Sequence, residues 1–445
     1  MRLAQFAVAL ACLACGAPAE RPEERQAARR NQPPEPLPEV RLDLGGQSVG
    51  DDDTVAGLLR IAVKDQPATE SRVVIELQGD TSRTLAKKSY QLELVDDQED
   101  ERDLPLLGMP AHSDWVLHSC GFDPTCMRNA LAYGLSKQFG HYAPRTRFVE
   151  LFVDDAYDGL YVLVERIRRG RERVDLPRPA ATENRGDISG GYLFRMDLGE
   201  GEPGDRIPRD WVSPVTSTIY SYAYPRHDDI TGAQKSYLHD HVTRFETLIR
   251  GDAWNDPQAG YRQVLDLPSW IDFALLQELS LNVDAYHKSI YLQKWPAARG
   301  HKLAIGPIWD FDLAFGTVEF RDARNTQTWA HTRNRFGGEP VPYSPPGRAP
   351  YVPEYWERLW SDPGFQGDLR CRWQELRGGP LQLESLAETI DAWTRQLSPA
   401  LARDAARWPD LPKSNYRDGI VLLKDFLAAR LAWMDANLPG TCAPR

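Results

Sequence analysis

The sequence predicts an α+β protein whose first half is rich in strands and whose second half is mainly helical, and three observations carry that prediction. Residues 57–63, 72–78 and Tyr90–Leu94 alternate apolar and polar side chains, the period of strands. From residue 233 onward the apolar residues recur at helical spacing instead. With 445 residues, 42% of them hydrophobic, and 13 Trp, the chain can bury a large core in more than one lobe. A formal net charge of −11 excludes a generally basic nucleic-acid binder.

The chain opens with Met1-Arg2, an apolar run from Leu3 to Leu13 and Ala17-Pro18-Ala19, the pattern of a secretory signal peptide over residues 1–19, so export is expected. Leu13-Ala14-Cys15-Gly16 looks like a bacterial lipoprotein processing site, although Cys12 stands where Leu is usual. Acylation of Cys15 would tether the chain to a cell-surface or periplasmic membrane; without it the protein is secreted. No later stretch reaches the ~18 apolar residues of a membrane span. Residues 20–39, rich in Pro and charge, read as a linker. The body is then 40–445, with one lobe at about 40–200 and another at about 230–445. Its four cysteines, Cys120, Cys126, Cys371 and Cys442, allow up to two disulfides, Cys120 with Cys126 being the local choice; buried thiols are the alternative.

Within the body, the early strands form a meander. A helix over 124–139 follows, with Asp123 as its cap, Pro124 in its first turn, Met127, Leu131 and Leu135 on one face and Gly140 after its end. RFVELFV and LYVLVERI flank a turn at 154–159 and predict a hairpin, and another strand is expected at 190–197. QKSYLHDHVTRFETLI and SWIDFALLQELSL are helical, the second with Ser269 and Asp272 spaced as a capping box and apolar nearly all round, hence buried. Residues 321–350 read as a surface loop, and helices at 382–406 and 420–438 close the chain.

Chemistry concentrates in the centre. Asp284 follows the buried helix directly, and Asp310 and Asp312 stand among apolar residues in GPIWDFDLAFG. In an extended strand these two would share a face, ~6.5–7 Å apart. Carboxylates so placed repel and lose solvation unless a cation joins them, a hard divalent ion or an arginine.

LAKKSYQLEL, DPTCMRN, YDGLYVLVERI, ISGGYLF, ELSLNVDAYHKSIYL and GPIWDFDLAFG, in that order over most of residues 60–440, resemble the CotH kinase family, named for spore coat protein H. The resemblance implies an atypical, kinase-like two-lobed α+β fold and transfer of the ATP γ-phosphate to hydroxyl side chains of a surface or coat protein, with Mg²⁺ or Mn²⁺ as cofactor. It implies Asp284 as the carboxylate that takes the acceptor proton, Asp310 as metal ligand with Asp312 as second ligand or brace, and Lys88 as the cation on the nucleotide phosphates. Lys87 and Lys88 point opposite ways in a strand, so only one can reach, and the family motif favours Lys88. Ser289 stands where kinases carry a metal-binding Asn and is a weaker ligand. Ser82, in Gly79-Asp80-Thr81-Ser82, belongs to a short loop on the phosphate side. Glu165 is the family-matched acid that would pair with Lys88 or meet the nucleotide. Arg128, beside Asn129, would touch phosphates or brace the lobes.

Other features read as structural. Arg166, Arg168, Arg169, Arg171 and Arg173 form a basic run of the kind that is usually a solvated face, the alternative being a hold on an acidic or phosphorylated substrate. His239 and His241 point apart on a helix, and the acidic stretch 96–103 lacks a calcium-loop pattern. Two other functions fit the residues: a kinase-like surface-assembly or binding protein without turnover, and a glycan hydrolase using the carboxylates as an acid and base pair.

Overall fold

The computed structural model describes residues 35–51, 53–79, 81–197, 209–333, 335–336, 339–340, 352–411 and 415–442. The segment read as a signal peptide, with Cys12 and Cys15, the expected linker up to residue 34, Asp80, and residues 334, 337–338 and 341–350 of the 321–350 stretch lie outside the described residues.

The early strands do more than meander. They are β1 (Glu39–Asp43), β2 (Val55–Ala62), β3 (Thr69–Gln78), β4 (Ser89–Val95), β5 (Asp114–His118), β6 (Thr146–Val153) and β7 (Ala156–Glu165), closed into a barrel in the order β1-β2-β3-β4-β5-β7-β6. Neighbours are antiparallel except at the seam, where β1 runs parallel to β6 with Glu39 opposite Glu150. Alternation sends Val40, Leu42, Leu59, Ile61, Val73, Ile75, Leu92, Leu94, Trp115, Leu117, Tyr161 and Leu163 inward to an apolar core. The linker therefore ends earlier than residue 39: Leu37 is buried and Glu39 opens β1.

The hairpin turn is shorter than expected. Only Asp154 and Asp155 form it, both at left-handed φ (47° and 62°), the conformation of a two-residue turn that matches strand twist. Helix α1 spans Arg128–Gln138, one turn later than predicted, because Asp123 accepts from the Thr125 and Arg128 N–H groups and so folds residues 123–127 into a turn. The predicted disulfide Cys120–Cys126 closes this turn, and Cys371–Cys442 is the second.

A second, antiparallel sheet has the order β12-β11-β8-β10-β9: β8 (Tyr192–Met196), β9 (Trp211–Val212), β10 (Ile219–Tyr224), β11 (Ile290–Lys294) and β12 (Leu303–Ile305). Helices α2 (Gly232–Arg250), α3 (Leu267–Ser280), α4 (Glu354–Ser361), α5 (Pro363–Arg377), α6 (Leu383–Arg407) and α7 (Tyr416–Asn437) make the C-terminal half helical. None in the described residues is long and apolar enough to cross a membrane. Helix α3 is buried throughout Ser269–Ser280, as its apolar surface requires. Its cap is Asp266, which accepts from Ser269 N–H; Asp272 instead binds Arg372 at 2.7 Å and His141 at 2.7 Å. The excursion after 320 is not simply a surface loop either. Ala323 and Ala330 are fully buried, and the main-chain N–H groups of Ala330 and His331 donate to Glu278 of α3.

Candidate active site

Strand alternation that fills the barrel also dictates its outer face. Gln78, Ser89 and His118 point outward near one end of the strands; Glu76, Gln91, Val116 and Val164 make the next row; Glu93 and Asp114 make a third, with Arg166 just past the end of β7. Over this face lies a cavity of about 680 Å³. Its other walls are Arg195 and Asp197 of β8 and the residue after it, Tyr222 of β10, Tyr291 of β11, Asn129 and Tyr133 of α1, and two loops, 284–289 and 309–313.

Those loops bring Asp284, Ser289, Asp310 and Asp312 to one cavity. Helix α3 ends as Leu281 turns into left-handed φ (45°), which starts the Asp284 loop. Asn282 then ties the two loops together: its side-chain Oδ1 accepts from Asp284 N–H at 3.3 Å and its Nδ2 donates to Asp310 O at 2.9 Å. The strand expected at 310–312 is absent. β12 stops at Ile305, and Asp310 has a left-handed φ of 66°, a conformation that Asp tolerates better than most residues. Helix α1 holds this turn. Asn129 Oδ1 accepts from Phe311 N–H at 2.7 Å, Tyr133 O–H accepts from Asp310 N–H at 3.2 Å, and Arg128 Nε donates to Ala314 O at 3.0 Å.

Electrostatics single out the three acids. Burial raises the pKa of Asp284 despite the positive charges of Lys288, Arg321 and Arg333, and Arg321 Nη1 stands 3.7 Å from its carboxylate. Burial and the charge of Asp284 push Asp310 up to about 6. Burial and the charge of Asp310 hold Asp312 well above the carboxylate range. His118 Nε2 lies 3.9 Å from Asp312 and Ser289 Oγ 3.5 Å from Asp310. Among the described residues no group of three or more His, Cys, Asp or Glu forms a ready metal cluster. The donor chemistry nonetheless suits a hard divalent cation: the carboxyl groups of half-buried Asp310 and buried Asp312 are both raised in pKa by burial and by the charge of a neighbouring acid, with the Ser289 hydroxyl oxygen beside Asp310.

Ser82 also lines the cavity, its hydroxyl donating to Gln78 O at 3.2 Å. Lys88, Arg128 and Glu165 are not among its lining residues. Lys88 lies just before β4, and its ammonium donates to Arg83 O. Arg128 is wholly buried between Asp123 and Ala314 O. Glu165 accepts from Arg145 N–H at 2.9 Å, from Arg145 Nη1 at 2.8 Å and from Tyr142 O–H at 3.2 Å, so Arg145 rather than Lys88 is its cation. The basic run is also not a solvated face: Arg166 and Arg168 line the cavity and grip buried Asp114, while Arg173 lies over Trp115. Lys288, four positions after Asp284, and Asn282 are site residues that the sequence reading passed over, although both lie inside the quoted segment ELSLNVDAYHKSIYL.

A mixed α and β fold thus places acids from two separate loops at one large polar cavity. The chain belongs to the CotH kinase family: the family model described as CotH kinase protein matches residues 75–434, which include every residue of the cavity named above. No curated protein matches the chain significantly.

Proposed function

We propose that the protein is an exported, ATP-dependent phosphotransferase that modifies hydroxyl side chains of itself or of a Ser-rich surface protein. In this reading the barrel and the helical half are the two lobes of a kinase-like fold. The convergence of Asp284, Asp310 and Asp312 on one cavity carries the proposal. Asp284 orients the acceptor hydroxyl and takes its proton. The bond from acceptor oxygen to the γ-phosphorus forms as the bond from that phosphorus to the β–γ bridging oxygen breaks, and ADP leaves with the electron pair. Asp310 and Asp312, with Ser289, would hold Mg²⁺ or Mn²⁺, which when bound supplies charge neutralisation at the phosphates. Asn282 keeps the Asp284 and Asp310 loops in register, so the carboxylates approach the substrate together.

The test is incorporation of labelled phosphate by the purified protein with ATP and a divalent ion. Asp284→Asn and Asp310→Asn should each lower it by at least about 100-fold with the melting temperature preserved. Equal incorporation in wild type and both variants sinks the assigned roles. One observation, the absence of Lys88 from the cavity lining, favours a protein that binds without turnover; nucleotide-induced thermal stabilisation with no transfer to any protein would select that reading.

A further inference from the structure

We propose that Lys288 is the cation that neutralises the nucleotide phosphates in this chain, the role that the family resemblance gives to Lys88. The inference rests on the phosphotransferase reading above. A triphosphate entering beside three acids stacks negative charge on negative charge, so a protein cation near those acids is needed besides the metal.

The neighbouring lysine pair is committed elsewhere. The Lys88 ammonium donates to Arg83 O, and Lys87, fully buried, donates to Leu160 O and Asp404 at 2.6 Å each. Most of the cavity's arginines bind other groups. Arg83 donates to Asp51 O at 2.8 Å and to Leu77 O at 2.6 Å. Arg166 and Arg168 hold Asp114, whose place on β5 is four residues from His118, ~13 Å along a strand. Arg195 sits across from Tyr291 in the second sheet, and Arg226 is exposed beside Glu101, at 3.8 Å.

Lys288 is placed differently. It lines the cavity on the same loop as Asp284 and Ser289, its main-chain N–H donating to Asp284 O at 3.2 Å. Burial raises both Asp284 and Asp310, and the positive charge of Lys288 opposes that rise in each. A half-buried lysine is a compact charge on a flexible stem, able to swing from the carboxylates to an arriving phosphate.

The experiment compares wild type, Lys288→Met, Lys288→Arg and Lys88→Met in the full protein, reading both the thermal shift on adding ATP with Mg²⁺ and the KM for ATP. Lys288→Met should bind ATP about 10- to 100-fold more weakly with an unchanged melting temperature in the absence of nucleotide, and Lys288→Arg should recover part of the loss. ATP affinity unchanged in Lys288→Met, or lost in Lys88→Met while Lys288→Met keeps it, would overturn the proposal. Failure of wild type to respond to nucleotide sinks the phosphotransferase reading itself, and this inference with it; a responsive wild type beside an equally responsive Lys288→Met sinks this inference alone.

Discussion

Asp114 is almost inaccessible to solvent, and burial alone would raise its pKa. The charge and hydrogen bonds of Arg168, with the charge of Arg166, outweigh burial and hold it at about 2, against an ordinary 3.8. A group depressed in the folded state stabilises it fully above the unfolded pKa and loses that contribution as pH falls from 3.8 toward about 2. The difference is on the order of 2 kcal/mol. Denaturant titrations of wild type and Asp114→Asn at about pH 6 and about pH 2.5 should therefore show the stability gap between the two proteins shrinking by that amount in acid. A gap that does not change with pH would refute it. The arginine run reads as a solvated face in the sequence because its counterion lies more than 50 positions upstream, at 166 − 114 = 52 and 168 − 114 = 54. Charge patterning sees only neighbours. The opposite holds for Asp284, Asp310 and Asp312, whose oddity is local: an acid among apolar residues is visible without knowing the fold.

Elements were legible where one period ran long enough to dominate, as in β3, β4, α2, α3 and α6. Short β1 and β5 were not, and neither were α4 and α5, and the strand expected through Asp310 became a turn because Asn129, Tyr133 and Asn282 bind its main chain from distant positions. The segment 317–333 is the clearest case. The Pro, Gly and Arg content of the whole 321–350 stretch suggests a loop on the surface, yet Glu278 of α3 binds the N–H groups of Ala330 and His331 at 2.7 and 2.9 Å and the Tyr286 hydroxyl at 2.9 Å. Arg333 donates to Leu281 O and Asn282 O, so the segment is strapped across the loop that carries Asp284. Removing the Glu278 carboxylate would strand buried Arg430 and His331 together with those N–H groups. Glu278→Ala should cost about 3–5 kcal/mol, while Glu278→Gln, which retains an acceptor oxygen, should cost less. Denaturation gives the stabilities. Hydrogen exchange at Ala330 and His331 gives the local effect: amides as protected in Glu278→Ala as in wild type would show that the strap is held by something else.

At the scale of the whole molecule, barrel closure was invisible in the sequence because it depends on Glu39 meeting Glu150, whereas the ordered family segments were visible because each is contiguous. One such segment carries a contact that joins the two ends of the chain. Lys87, next to β4, meets Asp404 of α6 at 2.6 Å, and the same carboxylate accepts from Leu160 N–H of β7 at 3.0 Å. Gly159 makes the approach possible: a Cβ there would sit 2.2 Å from Asp404 Oδ1. Arg403 to Glu150 at 2.7 Å and Trp408 Nε1 to Asp158 O at 2.6 Å extend the seam along α6. Both charges of the central pair are buried, so their value lies in mutual compensation rather than in net attraction. Lys87→Met leaves a carboxylate without its cation inside the seam and should cost about 3–5 kcal/mol. Asp404→Asn leaves an ammonium in the same position and should cost a comparable amount. Lys87→Met with Asp404→Asn removes both charges, so the double variant should be more stable than the sum of the two losses predicts, by about 1–3 kcal/mol in a double-mutant cycle. Losses that simply add would mean that the pair is not coupled and that α6 is held to the barrel by its apolar contacts and the Arg403 and Trp408 bonds alone.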